Sequence, residues 1–171
     1  EMAEPIAQLL RLLKTGEPEA RCAAAICLGR LRPVEARVVR ALTKATEAAD
    51  GATRPYMLDA LAATKAPEVI DVVLPFLEMR GSPSDQAVKI IWKLGKKALP
   101  KIAERHLDVR GWRTGAYLKA VAGIPAKEAV RMVFERLPYL GWEEARATSL
   151  FLRENYANYP ASVRNYLTAE L

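Results

Sequence analysis

Few side chains in this sequence could do covalent or acid–base chemistry. Its 171 residues hold one histidine, His106, and two cysteines, Cys22 and Cys27. His106 ends the run Glu104-Arg105-His106, where an imidazolium complements a helix carboxyl end more readily than it works as a lone base. The cysteines lie five apart within one predicted helix, a turn of about 140° that rules out a bridge, and they read as buried, reduced thiols. One histidine and two thiols on one helix cannot close a ligand set around a metal. Gly81-Ser82-Pro83 and the stretch from Gly111 to Gly115 are single turns without the Gly-rich run and Lys-Ser/Thr of a phosphate loop. Glu143-Glu144 fall in the first turn of a predicted helix, where carboxylates answer its dipole. These residue types point away from catalysis, and no cofactor or metal is expected.

Binding chemistry is better represented. The net charge is +6, yet the first 80 residues hold 11 basic and 11 acidic side chains, whereas Gln86 to Lys127 hold ten basic and two acidic. On a predicted helix from Ser84 to Lys97, Lys89, Lys93, Lys96 and Lys97 share an arc of about 100° by the helical step. The remainder of that helix is Ala87, Val88, Ile90, Ile91, Trp92 and Leu94, so the lysines form its exposed face. The equivalent positions elsewhere are Ala, Tyr, Cys or Gly except for Arg30, so stacking of helices does not require the charge. Lys101, Arg113 and Lys119 extend the basic character into the next helices. Lysines of this kind neutralise phosphates or carboxylates as flexible point charges; the plainer alternative is that they only solvate a helix face. Trp92, Trp112, Trp142 and Tyr117 could stack on bases, but core and helix-entry roles suit them better, because Trp112 and Trp142 each follow a Gly at a helix start.

The elements that must hold these residues are helical throughout. Alanine occurs 29 times and 51% of residues are apolar, a composition that suits helices and is too apolar for disorder. No apolar run approaches the roughly 18 residues of a membrane span. Ile6, Leu9, Leu10 and Leu13 make an i, i+3, i+4, i+7 stripe. Further helices are predicted from Glu19 to Leu31 and from Pro33 through Leu42. Breaks fall at Ala49-Asp50-Gly51, Ala66-Pro67, Gly81-Ser82-Pro83, Gly95, Arg110-Gly111, Ile124-Pro125, Gly141 and Tyr159-Pro160, leaving segments of about 11 to 16 residues. Leu28-Gly29 recurs as Leu61-Ala62 and Leu94-Gly95, each 33 residues on, with weaker echoes at Val121-Ala122 and Leu152-Arg153. A fixed period of about 30 residues holding two helices is the mark of an α-solenoid.

From Glu17-Pro18 through the Ala-rich run to Leu28-Gly29, and on through Val38, Val39 and Leu42, the sequence resembles the short HEAT-like repeat, best over roughly the first 105 residues and loosely from Arg110 onward. The resemblance implies an all-α superhelix of about five HEAT-like hairpins, with the lysine-bearing helix lining a concave groove. Residues 1–171 are then expected to form one repeat domain, itself possible as a piece of a longer array. The function expected is a non-enzymatic protein-binding scaffold that takes an acidic protein segment on Lys89, Lys93, Lys96, Lys97, Arg30, Lys101, Arg113 and Lys119. The alternative is a nucleic-acid-binding module like the HEAT-like DNA glycosylases, for which Asp108 before Trp112 is suggestive; a chromophore-lyase subunit has only the repeat in its favour. With no leader or membrane segment visible, a cytoplasmic location and no membrane partner are expected.

Overall fold

The computed structural model describes residues 3–32, 35–106 and 113–170. The described residues form α-helices joined by short turns, with no strand among them. They divide into two compact units, Glu1–Val72 and Val73–Leu171.

The first unit holds α1 (Ala3–Thr15), α2 (Pro18–Leu31), α3 (Ala36–Ala48) and α4 (Arg54–Ala63). Pro18 opens α2, where a missing N–H costs no intrahelical bond. Arg32 closes it in the left-handed region, its N–H donating to the Leu28 carbonyl. In α1, Ile6 and Leu13 are buried as their spacing predicts, and Leu28, Leu42, Met57, Leu58 and Leu61 form the centre of the unit. Packing is repeat-like, with α2 against both α1 and α4, and α3 against α1 and α4. Before α4, one oxygen of Asp50 accepts from the Ala52 and Thr53 N–H groups and from the Thr53 hydroxyl. Those bonds hold the Asp50 carboxyl below its ordinary range.

The expectation for the cysteines needs correcting. Cys27 is exposed and Cys22 half-buried, both as free thiols, because Ala24, Ala25 and Leu28 take the buried positions of α2. Partial burial pushes the Cys22 thiol up despite neighbouring Arg21.

The border between the units falls within α5 (Val69–Leu77). The second unit continues with α6 (Ser82–Leu94), a 3-10 turn (Gly95–Ala98), α7 (Leu99–His106), α8 (Arg113–Ala122), α9 (Lys127–Arg136), a 3-10 turn (Leu137–Tyr139), α10 (Trp142–Asn155), a 3-10 turn (Tyr156–Asn158) and α11 (Ala161–Glu170). α8 is central, packing against α6, α7, α9 and α10, while α11 covers α9. There the Lys127 ammonium lies 4.9 Å over the Tyr166 ring, which meets Phe134 edge-on.

The carboxyl end of α8 accounts for the tightness of this unit. A helix leaves its last four carbonyls without intrahelical donors. Here the Gly123 N–H donates to Lys119, the Trp92 indole N–H to Ala120 at 3.1 Å and to Lys119 at 3.3 Å, and the Ile124 N–H to Val121. The Tyr159 hydroxyl donates to Ala122. Three of the four acceptors, those of Lys119, Ala120 and Ala122, are thus met by aromatic side chains from distant segments.

Burial pushes the Tyr159 phenol up to about 12. An unfolded tyrosine ionises near pH 10, so the native state alone keeps the proton between those values. The stability contributed is whole below pH 10 and is lost as pH rises toward 12. Denaturation midpoints should therefore fall over that window, and Tyr159→Phe should flatten the fall while costing about 1 to 3 kcal/mol at neutral pH through the stranded Ala122 carbonyl. A midpoint equal to wild type in Tyr159→Phe would refute this role.

Candidate functional site

The basic residues are positioned first by α6. Pro83 lies in its opening turn and Asp85 answers its dipole. Ala87, Val88, Ile90 and Ile91 are buried, which leaves Lys89 and Lys93 exposed one turn apart. The helix does not run on to Lys97. It stops at Leu94 because Gly95 takes φ 63°, ψ −141°, a conformation side-chain-bearing residues rarely adopt. Lys96 and Lys97 belong to the following 3-10 turn, so the four-lysine helical stripe is corrected to two lysines on α6 and two beyond its end.

Their electrostatic states differ. Lys96 pairs with Glu128 at the start of α9, 3.4 Å away, and Lys119 of α8 pairs with Asp85 at 3.5 Å. The Glu128 carboxyl is held below its usual range, first by its own backbone N–H and then by Lys96. Lys101 lies 3.9 Å from Glu104, and Arg105 lies 3.7 Å from Glu78. Lys89, Lys93 and Lys97 are exposed with no ion pair among the described residues. Asp85 draws Lys119 toward the amino end of α6, and the Trp92 bond to the Lys119 carbonyl ties the same stretch of α8 to the helix that carries Lys89 and Lys93. Arg30 is exposed in the first unit. The side chains of Arg113 and His106, together with Asp108, Arg110 and Trp112, lie outside the described residues.

Two aromatic residues have the expected structural roles. Tyr117 is fully buried and its hydroxyl lies 3.3 Å from a Glu78 carboxylate oxygen. Trp92 is committed through its N–H to α8, and its ring lies 6.0 Å from that of Phe151. Trp142 departs from expectation: it is 74% exposed rather than folded into the core. By the helical step it lies about 100° from Thr148 and Leu152, the buried residues of α10. The Arg146 guanidinium covers its ring at 5.3 Å. Nearby Tyr139 is 79% exposed, which apolar spacing alone does not reveal because it does not separate a helix entry from a helix rim.

Between α8 and α10 runs a cleft of about 420 Å³ with Leu118 and Phe151 in its wall and Lys119, Glu143 and Glu144 at its polar edge. Among the described residues, no cysteine or histidine lines it. Among the described residues no group of three or more potential ligands is arranged for a metal ion, and no helix is long and apolar enough to cross a membrane. No protein-family model matches the chain, and no curated protein matches it significantly.

Proposed function

We propose that this chain is a non-enzymatic binding scaffold, a HEAT-like α-solenoid whose Lys89, Lys93 and Lys97 take an acidic segment of a protein partner. What supports this is the exposure of those three lysines without acidic partners, beside Lys96 and Lys119, which are already neutralised by Glu128 and Asp85. Carboxylates arriving from a partner would meet point charges able to follow a flexible chain. A nucleic acid is less well served. Stacking of bases needs free aromatic faces, and the aromatics nearest these lysines are committed, Trp92 to α8 and to the ring of Phe151, and Tyr117 to the interior. Exposed Trp142 stands next to Glu143 and Glu144, whose charge repels phosphate.

The test is fluorescence anisotropy with a labelled Asp/Glu-rich peptide and a labelled DNA duplex, both at about 50 mM salt. The peptide should bind, and Lys89→Glu/Lys93→Glu should weaken it at least about tenfold. Stronger binding of the duplex, or peptide affinity unchanged in the variant, would defeat the proposal. Release of a base from alkylated DNA would overturn its non-enzymatic part.

A further inference from the structure

The first unit carries as many acids as bases over its length, yet its surface is not neutral everywhere. Between α1, α2 and α3 lies a cleft of about 520 Å³ lined by Lys14, Arg21, Arg37, Arg40 and Lys44, with no acidic residue in its lining among the described residues. Arg37, Arg40 and Lys44 are spaced i, i+3, i+7 and so share one face of α3. Leu10 and Leu13 of α1 supply the apolar part of the wall. Arg37 is held by Glu35. Arg40 and Lys44 also border a neighbouring cleft that contains Glu47, Glu68 and Asp71, but neither forms an ion pair with them. A second observation concerns Arg21, whose Nε is buried with no hydrogen-bond acceptor. That atom is screened from solvent, so a ligand would meet the rest of the Arg21 side chain, which lines the cleft.

We propose that this cleft binds a small molecule bearing a polyphosphate, with the phosphates on Lys14, Arg21, Arg37 and Arg40 and any apolar body against Leu10 and Leu13. The Arg40 guanidinium offers a planar fork that matches phosphate oxygens two at a time, with Arg37, whose Nε already donates to Glu35, and Arg21 adding charge beside it. The volume lies within the range of small-molecule sites, about 300 to 1,000 Å³, and is too small for the groove of a duplex or a folded partner. The cleft is lined only by residues of the first unit, whereas α6 belongs to the second.

Isothermal titration of the full chain with tripolyphosphate, ATP and adenosine tests it. Tripolyphosphate and ATP should bind and adenosine should not. Lys14→Glu/Arg40→Glu, and the milder Lys14→Gln/Arg40→Gln, should each weaken binding at least about tenfold. Both positions are exposed, so thermal midpoints should match wild type and separate lost binding from lost folding. ATP binding more than about tenfold tighter than tripolyphosphate identifies a nucleotide, and equal affinities identify the phosphate chain alone; both support the site. Absence of heat with both anions, or binding abolished by Lys89→Glu/Lys93→Glu and untouched by the cleft variants, would overturn it. The acidic-peptide titration reads out independently, so failure of one proposal leaves the other standing.

Discussion

Replacing Gly123 with alanine is expected to cost about 2 to 5 kcal/mol, out of proportion to a single methyl group. A Cβ at that position would lie 2.0 Å from Nε1 and 2.2 Å from Cε2 of Trp92. The indole is rigid and cannot bend away as a lysine tip would. To escape the methyl group it must swing out of its bonds to the Lys119 and Ala120 carbonyls. The loss then adds overpacking, about 1 to 3 kcal/mol, to the stranding of the part-buried Ala120 acceptor, about 1 to 2 more. Urea denaturation measures the sum. Gly123→Ala combined with Trp92→Phe should lose less than the two single changes added together, because each removes the same arrangement. Stability within about 0.5 kcal/mol of wild type in Gly123→Ala would show that the indole is not held where the structure has it.

The second large effect concerns Gly29, where two opposing terms set the sign. Gly29 lies inside α2, and Gly→Ala within a helix ordinarily gains about 1 kcal/mol. Here a Cβ would stand 3.1 Å from the Ala60 Cα and 3.5 Å from its Cβ, so the obstruction is the backbone of α4 rather than a movable side chain. Separating two helices packed at that distance costs about 1 to 3 kcal/mol, which exceeds the propensity gain. Gly29→Ala is therefore expected to destabilise slightly, and Gly29→Leu by about 3 kcal/mol, since a branched side chain adds volume that α4 cannot yield. The midpoint of thermal unfolding reports the order wild type, Ala, Leu; a more stable Gly29→Ala would mean that propensity wins and that α2 and α4 are less closely packed.

These glycines also mark how far the sequence could be read. Leu28-Gly29 and Leu94-Gly95 look like one recurring motif, and their spacing places helices and breaks well. Physically they are different. Gly29 permits close approach of two helices, whereas Gly95 takes a backbone conformation that ends one. A residue-type pattern records that glycine is needed without recording why, and so Lys96 and Lys97 were placed on a helix that had already stopped. Lys89 and Lys93 were legible because Ala87, Val88, Ile90 and Ile91 leave them no buried position. The cationic cleft beside α3 was not, because charge summed along a segment averages opposite faces: Glu35 and Glu47 cancel Arg40 and Lys44 on paper while no acid among the described residues lines the cleft itself. Trp142 follows the same logic, its place at a helix start being legible and its angle to the buried face of α10 not.

The fastening of α8 has a consequence for how the second unit forms. Trp92 reaches its acceptor across 28 residues and Tyr159 reaches back across 37. Where each helical pair touches only its neighbours, an array can grow stepwise from any point. Here the last turn of α8 is incomplete until a residue 37 positions further on has arrived, so a ribosome must release Tyr159 before the segment laid down earlier reaches its final stability. The helices from α6 to α11 should consequently acquire protection from hydrogen exchange together, in one late step, rather than pair by pair in order of synthesis.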